Sequence, residues 1–156
     1  MTKDSLTTDL LSFLTDATTP FHAVGVMAER LLAAGFAPWS DASREPIVAG
    51  GKYFTVRNDS SLIAFTAGKD LSQGLRLVGA HTDSPNLSVR PNPSVNRFGC
   101  NLLAVDVYGG ALLNPWFDRD LSMAGKVSFE TGTGELVSRL LDFKAPVAGI
   151  PWLALQ

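Results

Sequence analysis

An uninterrupted apolar run, Leu77-Val78-Gly79-Ala80, forms the second half of the segment 75–80 and leads straight into His81-Thr82-Asp83-Ser84-Pro85. A strand with one face in water alternates polar and apolar residues, whereas a continuously apolar strand is covered on both faces, as in the middle of an α/β sheet. The segment is therefore predicted as a central strand with His81 at its carboxyl end. In open α/β sheets ligands bind beyond the carboxyl ends of the strands. A functional histidine is expected there.

The flanking sequence supplies the rest of an α/β fold. Leu6, Leu10, Phe13 and Leu14 follow the i, i+4, i+7, i+8 spacing of an amphipathic helix that starts near Asp4 or Ser5 and ends before Thr18. Thr19 then reads as an N-cap and Pro20 as the first residue of a second helix, with Phe21, Val24, Ala28, Leu31 and Leu32 on its buried face. Gly35 closes it. Residues 39–52 read as a connecting loop. Two strand-like runs, 53–57 and 62–66, flank the turn-forming Asn58-Asp59-Ser60-Ser61 and predict an antiparallel hairpin. Beyond Pro91-Asn92-Pro93 the chain turns to short strands punctuated by glycine, clearest at 102–108, 125–130 and 135–143, with Gly132-Thr133-Gly134 as a hairpin loop. This change places a subdomain boundary near residues 91–96.

Composition narrows the function classes. The 156 residues carry 13 Lys and Arg against 15 Asp and Glu, a net charge of -2, which lacks the basic footprint of a nucleic-acid binder. A single cysteine, Cys100, forms no internal disulfide and no CxxC pair, as expected of a chain in a reducing cytosol. Asp4, Asp9 and Asp16 interrupt any apolar leader, and no apolar stretch approaches the ~20 residues needed to span a bilayer. The expectation is a cytoplasmic protein with no nucleic-acid or membrane partner.

Chemistry-bearing residues are few. His81 as a neutral imidazole is a good zinc ligand, and Asp83 is close enough in sequence to hold its other ring nitrogen. The same letters also describe a loop histidine and an Asp-Ser-Pro turn that merely cap a strand. His22, in the first turn of the second helix, reads as a neutral, hydrogen-bonded structural histidine, with a second metal ligand as the less supported alternative. Two carboxylates flanking an Arg, Asp118-Arg119-Asp120, have the chemistry to bind metal or act as acid and base, but the preferred reading is a local ion-pair network, and the adjoining Trp116 and Phe117 imply that this loop packs against something. Gly109-Gly110 reads as a turn rather than a phosphate cradle.

Taken together and in order, Thr19-Pro20-Phe21-His22-Ala23, Arg57-Asn58-Asp59-Ser60-Ser61-Leu62, Leu77 through Pro85, and Gly109-Gly110 through Trp116-Phe117-Asp118-Arg119-Asp120-Leu121 resemble the N-terminal part of the aspartyl aminopeptidase family. The resemblance implies a cytosolic metallo-aminopeptidase with two co-catalytic zinc ions that removes N-terminal Asp or Glu from peptides. It implies His81 as a metal ligand and Asp83 as the carboxylate that supports it. It further implies an α/β catalytic domain, of which residues 1–95 are the first part, followed from residue 96 to 156 by the start of a β-rich inserted oligomerisation domain. Members of this family assemble into homo-oligomers, typically dodecamers. A two-metal hydrolase also needs a bridging carboxylate, further ligands and a general base. Asp106, Glu130, Glu135 and Asp142 match none of these, and Gln156 stands where the family commonly has a histidine. The chain is accordingly read as a fragment that is inactive alone. The alternative is a noncatalytic assembly protein that keeps the first lobe and part of the insert.

Overall fold

The computed structural model describes residues 3–40, 42–70, 72 and 74–152. Gln156 lies outside the described residues. Among the described residues the α-helices and strands follow in the order α1 (Lys3–Asp16), α2 (Pro20–Ala33), β1 (Ala37–Pro38), β2 (Lys52–Arg57), β3 (Ser61–Thr66), β4 (Asn86–Arg97), β5 (Cys100–Tyr108), β6 (Ala124–Glu130) and β7 (Leu136–Asp142). They fall into two compact units. One comprises residues 1–82 with 124–142, the other 83–123 with the remainder of the chain.

In the first unit the local signals act as expected. Thr19 takes an extended backbone conformation and its hydroxyl accepts the His22 N–H, while Pro20 occupies the first helical turn, where its missing N–H costs nothing. At the other end Gly35, with φ +80°, lets the Phe36 N–H reach back to the Leu31 carbonyl (2.9 Å) and its own N–H to Leu32 (3.0 Å). These two bonds satisfy carbonyls that the helix end would otherwise strand. β2 and β3 pair antiparallel from Lys52↔Thr66 to Arg57↔Ser61, and Asn58 and Asp59, both at positive φ, form the turn. β1 adds a two-residue parallel strand through Ala37↔Tyr53 and Pro38↔Phe54, inside a stretch whose composition signals only a loop.

Ala23 and Val24 of α2 and Phe54 of β2 are the buried apolar residues among those described. The α2 stripe therefore meets the hairpin, whereas Leu6, Leu10 and Leu14 of α1 stay more than half exposed, so the expected apolar stripe of α1 is present but uncovered. Arg30 of α2 ties to α1 through Asp9 at 2.9 Å and lies over the Phe13 ring. β6 and β7 form a second hairpin that joins this unit through Lys126, whose Nζ lies 2.7 Å from Asp59 Oδ2 and 5.2 Å from the centre of the Phe21 ring. The same residues line a cleft of about 320 Å³ with Val24, Ala28 and Leu140.

The segment 75–80 corrects the expectation of a central strand. It forms no strand, and Leu77 and Val78 are 87% and 100% exposed. A central strand owes its burial to neighbours on both sides, and no described element of its unit pairs with this one.

The second unit is built on β4 and β5. They pair antiparallel from Asn86↔Tyr108 to Arg97↔Cys100, with a shift in register between Val89 and Ser94. Pro91 and Pro93 sit inside that irregularity, where missing N–H groups break no ladder, and Asn92 adopts φ 53°. β4 thus runs through residues 91–96, where composition marks a break. A short 3₁₀ turn, Asn114–Trp116, follows. Phe117 and Leu121 bridge to Ile150 and Ala148, and Phe117 stacks edge-on against Trp152 at 4.8 Å. The aromatic loop packs as expected.

Large apolar side chains are exposed in both units, from Leu6 in α1 to Trp152.

Candidate functional site

The His-Thr-Asp motif straddles the point where one unit ends and the other begins. His81 is exposed at the end of the extended segment, and Thr82 follows, partly buried. The Thr82 hydroxyl donates to the Ser60 carbonyl at 2.9 Å, which ties the end of the first unit to its β2–β3 turn. Asp83 opens the second unit. Its Oδ2 accepts a hydrogen bond from the Tyr108 hydroxyl at 2.7 Å.

Tyr108 reaches that carboxylate because the β4–β5 register sets it opposite Asn86, three residues beyond Asp83. The intervening turn is fastened as well. Asn86 Nδ2 donates to the Ser84 carbonyl at 2.8 Å, and Gly109, at φ +68°, turns the chain away with Pro85 beside it. The hydrogen bond to Asp83, and then the charge of its carboxylate, hold the Tyr108 hydroxyl above its ordinary pKa of 10.0. At neutral pH Tyr108 is therefore a donor.

Other sequence candidates go elsewhere. The Nδ1 of His22 lies 2.7 Å from the Thr19 hydroxyl, so this histidine is part of the α2 cap, as its position in the first turn implies. Asp118, Arg119 and Asp120 do not form the expected ion-pair network. Arg119 donates to the Pro115 carbonyl at 3.3 Å, and Asp118 Oδ1 accepts the Trp152 N–H at 2.9 Å. Backbone partners outcompete the neighbouring charges because the positive φ of Asp118 directs the chain across residues 149–152. Asp106 faces Arg90 at 3.5 Å, and Asp142 accepts from Thr18 at 3.5 Å within its own unit.

A zinc site needs about three protein ligands when catalytic and four when structural. Among the described residues no group of three or more His, Cys, Asp or Glu is placed to hold a metal ion. His81 and Asp83 have the donor chemistry of one ligand and its carboxylate support. They do not amount to a complete site.

Residues 13–156 match the family described as "Aminopeptidase I zinc metalloprotease (M18)". The chain belongs to the M18 aminopeptidase family. It is 51% identical over 156 residues to "Probable M18 family aminopeptidase 2" of Pseudomonas putida strain GB-1, covering 99% of this chain and 36% of that protein. Among solved structures, the Ape4 and Nbr1 complex contains a chain with TM-score 0.87 and 38% identity, covering 94% of this chain and 29% of its own. The S. cerevisiae mApe1 dodecamer gives TM-score 0.84 at 32% identity, covering 95% of this chain and 36% of its own. The chain thus spans about a third of the length of the M18 relatives it matches. No helix among the described residues is long and apolar enough to cross a membrane.

Tyr108 is the functional candidate that sequence reasoning misses. It closes an apolar strand just before Gly109-Gly110, and nothing in that pattern points to Asp83. The link exists only in the antiparallel register, which the two prolines of β4 conceal.

Proposed function

We propose that this chain is the N-terminal part of a metallo-aminopeptidase that removes Asp or Glu from the N-termini of peptides. The observation that carries the reading is the M18 match over residues 13–156, which includes the His-Thr-Asp motif. In this reading His81 is a ligand of one of two co-catalytic zinc ions, and Asp83 supports its imidazole. When bound, the zinc pair would supply a nucleophilic water at neutral pH and polarise the scissile carbonyl. The chain's own part is to hold one imidazole in place. Residues 1–95 belong to the catalytic domain, and the β-rich stretch from about residue 96 to 156 begins the oligomerisation insert. The complete protein is a cytoplasmic homo-oligomer, of the dodecameric kind that the S. cerevisiae relative forms.

In this reading these 156 residues are inactive alone, because, of the metal ligands that the family resemblance implies, they carry only His81. The test is a chelator-sensitive aminopeptidase assay with N-terminal Asp and Glu peptides. It compares the chain as given, a polypeptide extended through the downstream catalytic segment of the family, and His81→Ala in the extended form. Activity only in the extended form, lost with His81→Ala, is the expected result. Robust turnover by the short chain would overturn the fragment reading. Persistent activity in His81→Ala would overturn the ligand assignment, and an extended form that folds but stays inactive would favour the noncatalytic assembly role.

A further inference from the structure

Between the paired residues Arg97 and Cys100 the β4–β5 ribbon turns through Phe98 and Gly99 alone, both at positive φ, 55° and 76°. Asparagine and glycine suit such a tight turn. An aromatic residue adopts this backbone conformation only at a cost in strain, and the Phe98 ring recovers none of it by packing, since it is 100% exposed. A strained, uncovered aromatic points to a partner.

The first unit carries a hollow of matching chemistry. Its cleft of about 320 Å³ is walled by Phe21, Val24 and Ala28 of α2, Val56 of β2 and Leu140 of β7. An apolar cavity of about 150 Å³ already holds a benzene ring, so a phenyl group fits. Gly25 opens the α2 side of this cleft from inside the helix, where a glycine weakens the element. Its φ is not positive, and a Cβ built on it meets nothing within 4 Å. Neither backbone nor packing within the unit calls for the glycine, whereas an incoming ring does. Charge agrees as well: Arg97 adjoins Phe98, and Glu29 follows Gly25 by four residues, on the same side of α2. Both are exposed, and neither is ion-paired among the described residues. We propose that Phe98 of one copy of this chain enters the cleft of a second copy, with Arg97 against Glu29. The contact is head-to-tail, because tip and cleft are different surfaces. It does not rest on the aminopeptidase reading.

The test uses Cys100, the single cysteine, which is exposed beside the turn and accepts a nitroxide label. A nitroxide-labelled copy is mixed with a reduced, isotope-labelled copy, so that any NMR line broadening in the latter is intermolecular. The amides of residues 21–28 broaden as concentration rises. Phe98→Asn in the nitroxide-labelled copy weakens association about thirtyfold, as loss of an aromatic anchor does, although Asn-Gly is the preferred turn sequence and keeps the hairpin. Gly25→Leu in the isotope-labelled copy weakens it similarly by filling the cleft, although leucine strengthens the helix. Neither loss can then come from unfolding. Arg97→Glu in one copy or Glu29→Lys in the other weakens association up to about fivefold, and the two together restore it. Broadening that survives Phe98→Asn overturns the proposal, as does a Gly25→Leu copy that associates unchanged. Broadening confined to another uncovered face, such as the α1 stripe, overturns it too. Failure of the exchanged charges to restore association overturns the contact between Arg97 and Glu29.

Discussion

The β2–β3 hairpin has six residues in each strand, whereas β4 and β5 have twelve and nine, yet the shorter pair is the one that encloses a core. Phe54 of β2 is 5% exposed against Ala23 and Val24 of α2. In the longer ribbon Val89, Leu103, Val105 and Val107 share one face by register and remain 41% to 54% exposed. Ladder hydrogen bonds were made in both. Burial came only where a helix lay across the sheet, in keeping with the marginal stability of an isolated two-stranded ribbon. Pairing sets which side chains share a face, and a third element decides whether that face leaves water.

The largest test of this contrast sets Phe54→Ala against Val105→Ala. Removing a buried phenylalanine costs about 3–5 kcal/mol, a large share of any small domain's stability. A half-exposed strand valine costs no more than about 1 kcal/mol. Urea unfolding followed by Trp39 fluorescence for the first unit, and by Trp152 fluorescence for the second, measures each. Equal losses at the two positions would mean that the ribbon face is as covered as the hairpin face.

The same contrast explains what was legible in the sequence. Thr19-Pro20 and Gly35 fix the ends of α2 by purely local hydrogen bonds, so both are read correctly from the letters. Asn58-Asp59 and Gly132-Thr133-Gly134 likewise mark their turns. Long-range partners leave no such local trace. The apolar run 77–80 reads as a buried strand, but burial is supplied by neighbours, and the described residues of its unit provide none. β4 hides behind Pro91 and Pro93 because a proline argues against a strand unless a bulge accommodates it. Of the candidate site, His81 and Asp83 are legible as a motif. Tyr108 is not, since its partner is 25 residues away and is reached through the hidden strand.

If the third element is what closes the first unit, weakening α2 should be felt there and not in the ribbon. Thr19→Ala removes the hydroxyl that accepts the His22 N–H and contacts His22 Nδ1. Loss of such a cap costs about 1 kcal/mol. The expected outcome is a lower unfolding midpoint for the Trp39 signal with the Trp152 signal unmoved. Thr19→Ser, which keeps the acceptor, should restore most of the loss. A shift of both signals together would show that the two units unfold as one.

The smallest effect concerns the ribbon, where the Tyr108 to Asp83 bond works in the open. Its signature is spectroscopic. The neutral phenol donates to a carboxylate, so ionising Tyr108 would break the bond and set two negative charges together, which is why its pKa is held above 10.0 in the folded chain. The folded state therefore keeps this proton more tightly than the unfolded state. The associated stability is fully present below pH 10.0, the ordinary value, and is lost as pH rises through the folded value. Phenolate absorbance, with Tyr108→Phe subtracted to isolate this residue, should show ionisation displaced to higher pH. Asp83→Asn removes the charge but leaves an amide oxygen able to accept, so it should return the part of the displacement that the charge causes and keep the part that the hydrogen bond causes. A Tyr108 curve that ignores Asp83→Asn would mean that the carboxylate does not hold the hydroxyl in solution, leaving the end of the ribbon as loosely tied as its apolar face is uncovered.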